Sequence, residues 1–71
     1  MPAVVPLTSQ ESIVRDLVVE GLTSVQIASR MQLSPRTVES HRRTLMAKVG
    51  ARSLADLVRM TMEERFRAAD A

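Results

Sequence analysis

The sequence predicts an all-α domain of four helices. Three observations carry this expectation. Capping residues open four separate segments, apolar residues inside those segments recur at three- and four-residue spacing, and no stretch alternates with period two, so no sheet is expected.

Met1 to Pro6 carries two prolines and no helical spacing, and reads as a tail or the end of a linker. Thr8 followed by Glu11 is a capping box: the hydroxyl takes an orphan amide of the first turn and the carboxylate reaches back to the cap. Ile13, Val14, Leu17 and Val18 then form one apolar stripe, and Gly21 stops the helix because glycine enters the left-handed region without a Cβ penalty. A second box, Thr23 to Gln26, opens a short helix whose Ile27, Ala28 and Met31 face the first. Ser34-Pro35 is an N-cap followed by proline at the first helical position, where the missing donor costs nothing. Val38, Leu45 and Val49 fall on one side of this third helix, which Gly50 closes. Ser53 to Asp56 supplies a further box, opening a last helix in which Leu54, Leu57 and Thr61 turn one way. The domain is accordingly expected over residues 7–67, between short tails at 1–6 and 68–71.

Seventy-one residues make one domain near the lower limit for a core without disulfides or metal. There is no cysteine and one histidine, His41, which excludes a thiolate zinc site and an imidazole cluster and suits a reducing, cytoplasmic setting. No cofactor is expected. No apolar run is long enough to span a membrane. A single aromatic residue argues against stacking on single-stranded bases. No nucleophile–base pair or glycine-rich phosphate loop stands out, so an enzyme is not expected.

The net charge of +2 hides an uneven distribution. From Arg30 to Arg52 there are six basic residues against Glu39 alone, a local +5, while the remainder carries −3. A basic stripe confined to one segment is the footprint of a surface that meets phosphates. Two short helices joined by a tight turn, Ser24 to Met31 and Pro35 to Val49, have the form of a helix-turn-helix unit, whose second helix enters a major groove about 12 Å wide. With Val38, Leu45 and Val49 inward, Arg36, Glu39, Ser40, Arg43 and Ala47 occupy the far side.

Arg43 is the first candidate for reading bases, its planar fork matching the two acceptors on a guanine edge; phosphate contact is the alternative. Glu39 could accept from a cytosine amino group or pair with Arg43 four residues on. Ser40 suits a base or a phosphate, and Arg36 and Thr37 at the helix start suit phosphates or a capping role. Arg42 turns closer to the core, where its stem packs and its head seeks Glu11 or Glu39. His41 borders the inward face as a core residue with a satisfied ring. Lys48 and Arg52 could reach the DNA backbone or complement the helix dipole, with Arg52 the stronger candidate.

Taken together, Leu7-Thr8, Glu11, Gly21-Leu22-Thr23, Ile27-Ala28, Ser34 to Glu39, His41 and Lys48-Val49 resemble the LuxR/FixJ/NarL helix-turn-helix domain, over roughly Leu7 to Met60. Met46-Ala47-Lys48, Ala51 to Leu54 and Leu57-Val58 are especially similar to the C-terminal domain of FixJ-like response regulators. The resemblance implies a four-helix, double-stranded DNA-binding transcription regulator. It places base reading on Glu39, Ser40 and Arg43, and phosphate contacts near Thr37, Arg52 and the start of the second helix at Ser24. There Ser24-Val25 replaces the family's usual Asn-Lys pair, and Arg15 stands where leucine is usual, with Val14 or Leu17 expected to compensate.

The fourth helix carries a second stripe, Ala55, Val58, Met62 and Phe66, away from Leu54 and Leu57. The resemblance implies a homodimer through this helix, with packing onto another domain as the rival. Two copies would read half-sites about one turn of DNA apart. RNA polymerase and an N-terminal regulatory domain outside this chain are further candidate partners. Two rival classes remain: a sigma-factor-like promoter module, which would bind core polymerase, and a helical adaptor, which would have no affinity for duplex DNA.

Overall fold

The computed structural model describes residues 6–70, so most of the expected N-terminal tail and Ala71 lie outside the described residues. Four helices follow in order: α1 (Ser9–Val19), α2 (Ser24–Met31), α3 (Pro35–Val49) and α4 (Leu54–Asp70). No strand occurs among the described residues. The expected capping chemistry opens the first three. Thr8 Oγ1 accepts from the Glu11 amide at 3.1 Å while the Glu11 carboxylate accepts from the Thr8 amide at 2.9 Å. Thr23 and Gln26 repeat this exchange, and Ser34 caps α3 ahead of Pro35. At α4 the box is incomplete. Ser53 Oγ accepts from the Asp56 amide, but Asp56 reaches one residue further back, to the amide of Arg52 at 3.0 Å.

Helix ends follow the same local logic. Gly21 (φ +97°) closes α1, with the Leu22 amide bonded to the Leu17 carbonyl, and Gly50 (φ +78°) closes α3. Between α2 and α3 the left-handed position is taken by Gln32 (φ +58°), a residue that carries a Cβ. Its strain, about 1–2 kcal/mol, sets the sharp turn that lets the Leu33 amide reach the Ala28 carbonyl at 2.9 Å.

The core is built from Val14, Leu17 and Val18 of α1, Ile27 and Ala28 of α2, Val38 and Leu45 of α3, and Leu57 of α4. Leu7, Leu22, Met31, Leu33, Met46, Val49 and Ala51 pack around it. α3 is the central element, lying across both α1 and α2. Two apolar residues depart from expectation. Ile13 is 47% exposed because it stands about 100° around α1 from Val14, outside the arc that α3 covers. Leu54 is 49% exposed: it is the first residue of α4, a turn short of the point where Leu57 enters the core.

α4 rests on α1, and two ion pairs cross between them. Arg65 Nη2 lies 2.9 Å from Asp16 Oδ1, and Arg15 Nη1 lies 3.5 Å from Glu64. Arg15 also holds Asp16 at 3.3 Å, so the unusual arginine in α1 joins the two helices while Val14 and Leu17 fill the core. α4 continues to Asp70, past the boundary expected at 67.

Candidate nucleic-acid interface

The strained turn at Gln32 and the cap at Ser34 fix where α3 begins, and Val38 and Leu45, both fully buried, fix which way it faces. Arg36, Glu39, Ser40, Arg43 and Ala47 consequently stand exposed on the side away from the core, as the periodicity predicts. Ala47 keeps the C-terminal end of this face low. Thr37 is half-buried; its amide donates to Ser34 Oγ at 3.1 Å and its hydroxyl lies 2.9 Å from the same oxygen, so it serves the cap. Its place in the first turn of α3 also leaves it near the free amides.

Charges on this surface divide into two groups. Lys48 is anchored: its Nζ lies 2.7 Å from Glu11 Oε1, whose side chain is only 6% exposed. The ammonium hydrogen bond, aided by the Thr8 amide, holds the Glu11 carboxyl below the ordinary glutamate value of 4.5. Lys48 thus ties α3 to the cap of α1. Arg36, Arg43 and Arg52 are exposed and form no ion pair among the described residues. With Arg30, exposed at the end of α2 and likewise without an ion pair among the described residues, they are the cations of the basic segment left for a partner, and Arg52 is set in place by its amide bond to Asp56.

Glu39 pairs within the fold with Arg42 at 3.2 Å, and not with Arg43, the partner weighed for it from spacing. Arg42 turns toward the body of the domain, as expected, and its Nη1 also donates to Ser24 Oγ at 2.8 Å; the Ser24 hydroxyl in turn donates to Glu39 Oε1. Ser24, expected as a phosphate contact, therefore has its hydroxyl engaged within the protein. His41, expected as a core residue with a satisfied ring, is half-buried and its buried Nε2 has no hydrogen-bond partner among the described residues.

Neither the joining of Ser24 to Glu39 and Arg42 nor the Glu11–Lys48 bridge announces itself in sequence, since those partners lie 15, 18 and 37 positions apart. Val25, 66% exposed beside Ser24, and Thr44, exposed between Ser40 and Ala47, flank the same surface and were not singled out by residue type.

The Glu11–Lys48 bridge makes a pH dependence. A carboxyl whose folded value is lowered stabilises the fold above its unfolded value and loses that contribution as pH falls through the folded one. The Asp56 carboxyl, lowered first by the Arg52 amide and then by Arg59, acts in the same direction. Thermal unfolding followed from pH 7 to pH 3 is expected to show a flat midpoint down to about pH 5, then a fall. Lys48→Met should lower the midpoint at neutral pH and shrink the acid-induced fall; an unchanged profile would show that the bridge is idle.

Comparison with known proteins agrees with this geometry. The sequence profile of GerE, described as bacterial regulatory proteins, luxR family, matches residues 5–61. The chain is 53% identical over 51 residues to the C4-dicarboxylate transport transcriptional regulatory protein DctR of Rhodobacter capsulatus, covering 72% of this chain and 26% of that protein. It is 47% identical over 60 residues to the transcriptional regulatory protein FixJ of Rhizobium meliloti, covering 84% and 29%. The tetrathionate response regulatory protein TtrR of Salmonella typhimurium is 43% identical over 53 residues, covering 75% and 26%. The chain thus spans little more than a quarter of the length of these relatives. No solved structure is a significant match. Four helices, a capped helix-turn-helix with a polar outer face, and this match across most of the sequence make one conclusion: the chain belongs to the luxR family of bacterial regulatory proteins, as a DNA-binding, non-enzymatic helix-turn-helix domain.

Proposed function

We propose that this chain reads duplex DNA with the outer face of α3 and controls transcription as one half of a two-fold symmetric pair, within the cytoplasm. The observation that carries the reading is the set of unpaired side chains there: Arg43 and Ser40 stand exposed beside Ala47, and Arg36 extends the same face toward the helix start. In this reading Arg43 forks onto a guanine edge, Ser40 and Glu39 address neighbouring bases, and Arg36, Thr37 and Arg52 hold phosphates. The curated relatives, longer proteins named as regulators, support a role as the effector part of a response regulator or of a stand-alone luxR-type regulator. A regulatory domain elsewhere in the protein and RNA polymerase are its further partners.

Pairing is assigned to α4. Ala55, Met62 and Phe66 are exposed and Val58 is half-buried; Met62 and Phe66 are 42% and 79% exposed, an apolar edge unlike the charged flank of the same helix. Such a stripe suits a symmetry mate.

Selection from a pool of randomised duplexes, followed by titration across a salt series, tests both parts. The expected result is an enriched sequence with two inverted half-sites about 10 base pairs apart, and an affinity that falls steeply with salt. Met62→Asp is expected to leave a folded monomer that binds a single half-site as before but no longer binds two cooperatively. Enrichment of no sequence would sink the reading of bases, and intact cooperativity in Met62→Asp would remove α4 from the pair.

A further inference from the structure

We infer that Ser24 is a positioning residue that decides which of two adjacent arginines neutralises Glu39, and so keeps Arg43 available for DNA; this rests on the base-reading role proposed for Arg43. Glu39 precedes Arg42 by three residues and Arg43 by four. On a bare helix both spacings pair, and an acid four residues ahead of a base is well placed. The choice seen in the fold is Arg42, with Arg43 left unpaired among the described residues.

The tie is broken from outside α3. Ser24 is the first residue of α2, placed by the Thr23–Gln26 box, and α2 packs directly on α3. Its hydroxyl accepts from Arg42 Nη1 at 2.8 Å and donates to the same Glu39 oxygen that Arg42 holds. Three groups close a ring in which the central atom must both give and take a hydrogen bond. A hydroxyl does this; a methyl cannot, and a lysine has no acceptor. The Arg42 side chain is 29% exposed and that of Glu39 57%, so the ring sits at the edge of the surface, with Arg43 outside it.

Removing the hydroxyl takes away both bonds and returns Glu39 to a contest between two arginines. In Ser24→Ala, affinity for the duplex selected by the wild-type chain is expected to fall about two- to threefold, the equilibrium weight of one competing exposed helix pair, with loss of preference at the base pair that Arg43 contacts. In a Glu39→Gln background, where no carboxylate competes, the same substitution should change affinity by less than about 1.5-fold. Ser24→Thr, which keeps a hydroxyl, should restore the wild-type preference. In the free protein, the guanidinium Nε–H resonances of Arg42 and Arg43 should both shift in Ser24→Ala and stay put in Ser24→Thr.

A Ser24 that simply touches a phosphate would lose equally in both backgrounds and leave those resonances unmoved in the absence of DNA; either result overturns the proposal. If the wild-type chain enriches no duplex, the base-reading role falls, while the resonances of the free protein still decide whether Ser24 sets the pairing.

Discussion

Leu45→Ala is expected to cost the fold about 2–5 kcal/mol, measured as the shift in urea midpoint followed by circular dichroism. Leu45 is fully buried in the C-terminal half of α3, in one core with Val14, Ile27, Val38 and Leu57. Removing three carbons there opens a cavity lined by three other helices, and a chain this short has few further contacts that can collapse into it. Stability of about 0.05–0.15 kcal/mol per residue gives a domain of this size roughly 4–10 kcal/mol in all. The substitution therefore takes a large share and can leave an appreciable unfolded population. The loss should reach DNA binding as well, because Leu45 and Val38 set the rotation of α3 about its axis. Saturating duplex should recover part of the unfolding midpoint, since a ligand of the folded state draws the equilibrium toward it. A cost below about 1 kcal/mol would show that α3 is oriented by its ends and not by this contact.

The second large effect is expected at Arg43. Arg43→Ala should weaken binding to the preferred duplex by about 1–3 kcal/mol, roughly 5- to 150-fold, while binding to unrelated duplexes weakens far less. The asymmetry follows from the site: an exposed guanidinium with no ion pair contributes little to the free fold, so its removal should leave thermal stability within about 0.5 kcal/mol of the parent. Arg43→Lys separates the two roles open to it. A base-reading fork loses its second hydrogen bond in lysine, whereas a phosphate contact keeps its charge. Equal weakening on all duplexes by Arg43→Ala would place the residue on the backbone and not on a base edge.

What could be read from sequence follows the range of the interactions concerned. Thr8 with Glu11, and Thr23 with Gln26, are bonded to neighbours three residues away, and their pattern alone locates the helix starts. The outward face of α3 was legible for the same reason, since Val38 and Leu45 stand seven residues apart, nearly two turns. Burial was less so at the edges: Ile13 and Leu54 have the right residue type but no helix covering them. The Glu39–Arg42 pair, three residues apart, was among the candidates the spacing offered; the Ser24 hydroxyl bonded to both, from another helix, was not. Lys48 likewise was a candidate for the DNA backbone or the helix dipole by its place near the end of α3, whereas its carboxylate partner comes from the cap of α1, 37 positions away. The left-handed turn at Gln32 carries no glycine to mark it, and only the requirement that α3 cross α2 explains why the backbone adopts it.

The ionic contact between α1 and α4 bears on the reading of a salt titration. Arg65 with Asp16, and Arg15 with Glu64, lie toward the surface, where mobile ions at physiological strength screen charges over about 8 Å. The paired atoms lie 2.9 and 3.5 Å apart, well inside that length, so added salt weakens them only in part while it refills the counterion cloud along the nucleic acid. The steepness of a salt titration on this molecule should then reflect its phosphate partners, and Asp16→Asn, which removes the partner of Arg65, should leave that slope unchanged.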